Sequence, residues 1–222
     1  MKRKIITTAD GSKTIQIEDW NEQYHSTHGA IQEAYHVFIK NGLSLFDDRQ
    51  LSILEIGFGT GLNALITLLE SEKRGLDISY KGVEAYPVVP EELEQLEYAE
   101  ALEAGDLEQY FIKMHQTSWE ELHAIATNFS LIKQQSDFRE IADINVFDLI
   151  YFDAFGARVQ PELWTEEVFA IMYRSLKKDG VLVTYSAKGS VRRAMQAVGF
   201  VVERLPGPPG KREMLRAIKV SQ

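Results

Sequence analysis

The stretch LSILEIGFGTGLNALITLLE, residues 51–70, decides how the rest of the chain is read. Leu51 to Ile56 is an apolar run with one acid, Glu55, near its end. The run breaks into a loop holding Gly57, Gly59 and Gly61, then resumes with Leu62, Leu65, Ile66 and Leu69 at spacings of three and four. That pattern predicts a buried strand, a tight turn and an amphipathic helix. Glycine suits such a turn because the backbone takes positive φ there and a ligand can approach without meeting a Cβ. The unpaired N–H groups at the start of the helix then face the ligand.

Spacing selects the ligand class. A dinucleotide fingerprint, GxGxxG, requires glycine at position 62, where this chain has Leu62. The loop here is GxGxG, with Glu55 two residues ahead of it. It resembles motif I of the S-adenosylmethionine-dependent methyltransferases, (E/D)xGxGxG. The resemblance implies S-adenosyl-L-methionine as cofactor, with a loop that receives a methionine moiety and a ribose rather than a pyrophosphate.

A chain of 222 residues with 45% hydrophobic content can bury one substantial core. Without cysteine it has neither a disulfide framework nor a thiolate metal site. The N-terminus MKRKIITTADGSK lacks the apolar centre of a signal peptide, and no run approaches the ~18 apolar residues of a membrane span. A cytoplasmic protein with no membrane partner is expected. The net charge of −9 is unevenly spread: from residue 171 onward eleven Lys and Arg face only Asp179, Glu203 and Glu213, a balance of +8 that leaves −17 elsewhere. The asymmetry fits a basic docking face on an acidic protein, and equally a solvated surface of unequal segments.

Along the chain, Ile5–Thr8 and Thr14–Ile17 read as two short strands joined by an Asp10-Gly11 turn. A helix follows within residues 20–43, with Ile31, Tyr35, Phe38 and Ile39 on one face and Asn41-Gly42 as its stop. Residues 1–45 thus form a hairpin and helix extension before a main domain at 46–222. His25, His28 and His36 lack a carboxylate or cysteine to complete a ligand set, so no metal is expected. Residues 78–84 read as a strand ending in Glu84, 23 residues beyond Gly61, where an acid accepts hydrogen bonds from ribose hydroxyls. A strongly acidic helix is expected from Pro90 through Glu103, and another over 107–125 carrying Trp119. Phe129–Gln135 is a strand leading to Asp137, a candidate for the adenine amino group or a turn cap. Residues 146–155, VFDLIYFDAF, give a further strand whose mouth holds Asp153 and Phe155. A helix from Pro161 to Lys178, a strand at 181–186, a basic helix at 187–198 and two closing strands at 199–203 and 214–220 complete the chain. The β/α alternation with its closing antiparallel hairpin predicts a Rossmann-like seven-stranded α/β methyltransferase sheet.

Four stretches carry a more specific resemblance: YHSTHGAIQEAYHVFIKNGL, EIGFGTGLNAL, FDLIYFDAF followed by QPELW, and GKREMLRA. Together they resemble the methyltransferase family that completes 5-methylaminomethyl-2-thiouridine at the tRNA wobble position. In bifunctional members a flavin-dependent oxidoreductase half follows. Here the chain ends at Gln222, which implies the stand-alone methyltransferase form. The resemblance implies that Tyr24, Glu55, Gly57, Gly59, Gly61, Asn63, Glu84, Asp137 and Asp153 hold the cofactor. Where the family continues DAFAP with a basic residue before NPE, this chain has Gly156-Ala157-Arg158-Val159-Gln160-Pro161, which displaces the basic residue and alters the substrate loop.

The chemistry so implied is in-line displacement, in which alignment supplies most of the acceleration. An aminomethyl group is largely protonated at neutral pH, so a carboxylate that accepts its proton helps, and Asp153 is the catalytic candidate. Phe155 or Tyr86 would stack on a splayed base, Arg158 would reach the substrate, and Lys188, Arg192, Arg193, Lys211 and Arg212 would contact phosphates of a tRNA anticodon loop. A small-molecule amine methyltransferase, an aminopropyl transferase or a non-catalytic cofactor-binding protein would share the glycine loop without needing the basic face.

Overall fold

The run at 51–56 becomes a strand because its alternate side chains have two apolar layers to enter. Ile53 joins a cluster on one side with Leu65 and Tyr80, while Leu54 and Ile56 join another with Val168 and Met172. The computed structural model describes residues 2–220. In chain order its strands are β1 (Arg3–Thr7), β2 (Lys13–Ile17), β3 (Glu22–Gln23), β4 (Gln50–Ile56), β5 (Asp77–Val83), β6 (Leu122–Ala126), β7 (Phe129–Gln134), β8 (Phe147–Phe152), β9 (Leu176–Thr184), β10 (Val201–Pro206) and β11 (Glu213–Ile218). The α-helices are α1 (Ala30–Ala34), α2 (Leu62–Lys73), α3 (Pro90–Leu93), α4 (Tyr98–Ala101), α5 (Glu108–Gln116), α6 (Glu166–Ser175) and α7 (Gly189–Ala197).

The main sheet runs β10-β11-β9-β8-β4-β5-β7-β6. Strands β9, β8, β4, β5 and β7 are parallel, and β10 and β11 form the expected antiparallel hairpin at one edge. The sheet has eight strands rather than seven. The stretch read as one helix over 107–125 ends at Gln116, and residues 122–126 turn back as β6 against β7. An edge strand with only Ile125 buried carries too little alternation to be seen in sequence. The acidic helix is likewise two short ones, α3 and α4, broken where Glu97 takes φ 51°. Helix α6 ends at Ser175 and passes straight into β9, so Lys177 is a strand residue.

Strand order reverses between β4 and β8, the switch point at which open parallel sheets bind ligands. Register sets the level of the opening: Ile56 lies opposite both Val83 and Phe152, and Val83 opposite Gln134. The next residue of three of these strands is therefore Gly57, Glu84 or Asp153, all at one edge. A separate three-stranded antiparallel sheet, β1-β2-β3, precedes them. Its Ile15, with Ala30, Val37, Phe38 and Leu43 of the helical segment, shares a cluster with Leu65 and Tyr151 of the main sheet layer. After α1 the helix continues as a π-helical segment, Tyr35–Lys40, and the Asn41 side chain donates to the His36 carbonyl at 2.7 Å. Among the described residues no helix is long and apolar enough to cross a membrane.

At the opposite edge of the sheet, Asp148 on β8 is buried. It accepts from Arg49 Nη2 at 2.9 Å, Ser52 N–H at 2.9 Å and Lys177 Nζ at 2.8 Å, joining β8 to the starts of β4 and β9. Arg49 and Lys177 are partly exposed and regain water if the carboxylate is lost, but the Ser52 amide does not. Asp148→Ala is expected to cost about 2 kcal/mol, the range of hydrogen bonds to a charged group. A lower urea midpoint at unchanged slope checks it.

Candidate active site

The glycine turn is shaped by what stands against it. Gly57 has φ +85°, and a Cβ there would lie 2.8 Å from the Asp153 carbonyl oxygen. Gly59 has φ +50°, and its Cβ would lie 3.0 Å from the Tyr24 ring. Backbone conformation and close approach both require glycine at these positions. The turn is tied down on its sheet side, where Gly57 N–H and Phe58 N–H donate to the Val83 carbonyl and Asp153 N–H to that of Ile56.

Around this turn opens a cavity of about 440 Å³, within the range of small-ligand sites. Tyr24, Gly57, Gly59, Asn63, Glu84, Asp137, Asp153, Phe155 and Lys211, all singled out in sequence, line it. Glu84 accepts Gly59 N–H at 3.0 Å through one oxygen and Tyr86 N–H at 2.9 Å through the other. Each oxygen keeps a lone pair for a hydroxyl donor. Burial raises the Glu84 carboxyl above its ordinary value, against the pull of these amide bonds. Tyr24 closes the turn from the N-terminal extension. Its phenol is raised by burial and then by Glu84.

Asn63, in the first turn of α2, donates its side-chain N–H groups to Glu55 Oε1 and Asp153 Oδ2, both at 2.8 Å. Its Oδ1 is buried without a partner among the described residues. Such an atom costs free energy unless a donor arrives from the cavity. Asp153 sits at the β8 mouth. Burial pushes its carboxyl up to about 7 and Glu33 adds to the rise, while the Asn63 hydrogen bond and Lys211 pull it back.

Several expected roles change. Glu55 has no exposure and does not line the cavity; it accepts from Asn63 and from Tyr80 OH at 2.8 Å, and burial holds its carboxyl well above the carboxylate range. It touches the cavity wall only by way of Asn63, because the pleat points it into the core. Gly61 also faces away: a Cβ there would lie 3.0 Å from His115 Nε2, so its constraint is packing. Asp137 lines the cavity with both oxygens held by Arg139, at 2.8 Å from Nε and 2.6 Å from Nη2, and it caps a short 3-10 turn. Arg158 lies outside the cavity lining, bonded to Glu22 at 2.9 Å and to the Trp20 carbonyl at 3.1 Å. It fastens the loop after β8 to the N-terminal extension. Lys211 turns inward to pair with Glu33, its Nζ 3.9 Å from the Tyr185 ring centroid, instead of standing on the outer face. Lys188, Arg193 and Arg212 are exposed and Arg192 half-buried; none lines the cavity or forms an ion pair among the described residues.

Sequence reasoning missed Glu33, Tyr185, Trp20 and Glu22, which also line the cavity. Glu33 had a signal: with Ala30 three before and Val37 four after, it occupies the buried face of its helix, an unusual place for an acid. The three histidines disperse. His25 Nδ1 faces Thr14 Oγ1, His36 Nε2 faces the Pro206 carbonyl, and the His28 ring packs on Gly210.

A match to the S-adenosyl-L-methionine-dependent methyltransferase family covers residues 97–220, more than half of the chain. The chain belongs to that family. Among its relatives, the bifunctional tRNA 5-methylaminomethyl-2-thiouridine biosynthesis protein MnmC of Aromatoleum aromaticum is 31% identical over 224 residues, spanning 96% of this chain and 35% of that protein. MnmC of Azoarcus sp. is 31% identical over 212 residues, covering 89% of this chain and 33% of its own length. This methyltransferase thus spans about a third of the length of the curated relatives it matches. The crystal structure of MNMC2 from Aquifex aeolicus superimposes with a TM-score of 0.77 at 26% identity, over all of this chain and 72% of that one. Spermidine synthase of Thermotoga maritima, at 16% identity and a TM-score of 0.63 over 98% of this chain and 69% of that one, shares the fold.

The site fits the family's cofactor. The orphaned Asn63 Oδ1 awaits a donor, Glu84 retains acceptor capacity, and Gly57 and Gly59 leave room that a side chain would fill. Asp153 is held at a cost to the fold: above pH 7 the folded state carries a poorly solvated anion, whereas below its ordinary value of 3.8 both states are protonated. Asp153→Asn is therefore expected to raise the melting temperature at pH 8, with the gain shrinking as pH falls from 7 toward 4. Paired melting curves across that interval measure it.

Proposed function

We propose that this methyltransferase is an N-methyltransferase acting on the aminomethyl group of 5-aminomethyl-(2-thio)uridine at the tRNA wobble position. The observation that carries the reading is the Asp153 carboxyl: at the switch point, fixed by Asn63, and raised to about 7. A proton affinity near the working pH suits a group that takes a proton from an ammonium and keeps the resulting amine oriented. The names of the 31%-identical relatives supply the substrate class.

When bound, S-adenosyl-L-methionine supplies a methyl group on a positively charged sulfur. The residues that would hold it are the Gly57 and Gly59 backbone, Asn63 Oδ1 for a donor group and Glu84 for the ribose hydroxyls. Asp153 receives the substrate's proton and directs the nitrogen lone pair toward the glycine turn. Phe155 is ordered for base stacking by edge contacts, with Trp20 at 5.6 Å and Tyr24 at 5.0 Å between ring centroids, and its carbonyl accepts Trp164 Nε1 at 2.8 Å. Tyr86, exposed at the rim, offers a second aromatic face.

Residues 46–222 are read as the methyltransferase domain and 1–45 as an extension that walls its cavity. Because β9 runs parallel to β8, Tyr185 and then Lys188 leave the sheet at the Asp153 edge. Lys188 immediately precedes α7, and Arg192 N–H donates to its carbonyl one turn later. With Arg193 and with Arg212, next to the cavity-lining Lys211, they form the phosphate-binding face proposed for the anticodon loop. A cytoplasmic location follows from that substrate.

Asp153→Asn is expected to lower kcat on aminomethyl-bearing tRNA by about 100-fold or more, the usual scale of a lost acid–base group, with cofactor affinity kept within a few-fold. Single-turnover assays beside calorimetry with the cofactor test this. Mass analysis of wobble nucleosides from cells lacking the protein is expected to show the unmethylated aminomethyl nucleoside accumulating, and an unchanged profile sinks the reading. Reversing the charges of Arg192 and Arg193 should raise KM for tRNA at least ~10-fold and flatten its dependence on salt. An enzyme acting on a free small amine would register neither change.

A further inference from the structure

Glu33 and Lys211 come from opposite ends of the sequence, one from α1 and the other from the loop between β10 and β11, yet they form an ion pair in the cavity wall. Both are well fixed. Glu33 is buried, and its other oxygen accepts Ser26 N–H at 2.9 Å. Lys211 stands over the Tyr185 ring at 3.9 Å, and Tyr185 OH donates to the Ala154 carbonyl at 2.8 Å, one residue beyond Asp153. A continuous set of contacts thus runs from Glu33 through Lys211 and Tyr185 to the loop that presents Asp153. Of the two partners Glu33 is buried and Lys211 about a third exposed, and a buried carboxylate placed against one cation gains little net stability, since its desolvation costs about as much as the attraction returns.

Resting on the function proposed above, we propose that Glu33 and Lys211 are positioning residues that set the proton affinity of Asp153 by opposed charges and hold its loop through Tyr185. Lys211 favours the Asp153 anion and Glu33 opposes it, so together they keep the carboxyl able both to take a proton from the substrate ammonium and to release it after each turnover. Of the other charged groups around the cavity, Arg3 pairs with Glu92, Arg139 with Asp137 and Glu22 with Arg158, while Glu162, in the 3-10 turn at 161–164, lines the cavity without an ion pair among the described residues. Glu55 and Glu84, on β4 and β5, are raised by burial, and His25 is pulled down to about 4 and so neutral. The Tyr185 phenol is raised by burial and stays protonated. Lys211 and Glu33, joined in the cavity wall, are the two charges that act on Asp153, and they act in opposite directions.

Carbon-13 NMR titration of the side-chain carboxyls in the full chain without cofactor tests this, with the Asp153 signal assigned by its loss in Asp153→Asn. Lys211→Met should raise the Asp153 midpoint by about one pH unit and Glu33→Gln should lower it by about as much, the low end of shifts from a nearby charge. Lys211→Arg should keep the parent midpoint, and the double variant Glu33→Gln with Lys211→Met should return toward it. In turnover, the acid limb of the kcat/KM profile should follow the same shifts, which a merely structural contact would not produce. Midpoints that stay put in both single variants overturn the inference even if tRNA is methylated. Midpoints that move as stated uphold it even if no tRNA is methylated, in which case the proposed substrate alone fails. Should Lys211→Met not fold, the downward shift in Glu33→Gln decides by itself.

Discussion

One side-chain amide organises this site. Asn63 spends both N–H groups on carboxylates of neighbouring strands, Glu55 on β4 and Asp153 after β8, and leaves its oxygen toward the cavity. Two acids so close in a buried space cannot both be charged cheaply. The fold separates them by environment: Glu55, sealed beneath with Tyr80 as a second donor, is driven toward its protonated form, while Asp153 at the opening stays near neutrality in its proton affinity. Because the amide must donate to both, its orientation is fixed, and an acceptor rather than a donor faces whatever enters. That orientation depends in turn on the glycine turn, which brings the start of α2 over the end of β4.

Shared register carries this geometry along the sheet. With Ile56, Val83 and Phe152 in one row, Gly57, Glu84 and Asp153 emerge together without long loops to position them. The walls are less economical. They come from residues 20–33 on one side and from Tyr185 and Lys211 on the other, held by contacts between distant parts of the chain such as Arg158 to Glu22 and His28 against Gly210. The acids at the strand mouths thus follow strands buried on both faces, and the walls come from segments whose placement rests on a few polar bonds.

That division also explains what could be read from sequence. The glycine loop, the β/α alternation, the closing hairpin and the acids at strand ends are local patterns in which period and spacing carry the signal. The misreadings occur where a long-range contact chose between local options. Residues 122–126 have no strong strand pattern and pair only because β7 presents a free edge. Gly61 looks like its two companions in sequence, but its Cβ direction meets His115 on α5. Glu55 stands in the ligand-binding position of its motif, yet the pleat of β4 points it inward. Asp137 was open to two readings, and it both lines the cavity and caps a 3-10 turn, with Arg139 two residues on holding its carboxylate.

Lys211 and Arg212 show the limit most clearly. In a charge count they are two equal contributions to one basic face, but they sit in the turn that closes the last hairpin, where Lys211 N–H donates to the Pro208 carbonyl and Gly207 N–H to the Arg212 carbonyl. Lys211 turns inward, toward a buried acid. Glu33, 178 positions away, offers Lys211 a carboxylate, and Tyr185 offers its ring face, whereas Arg212 meets water. Guanidinium is the better partner for phosphate because its fork is planar and permanently charged, while an ammonium on a flexible stem fits a confined site beside a single carboxylate. The order Lys then Arg therefore puts one cation beside the acids of the cavity and the other in solvent, one peptide bond apart.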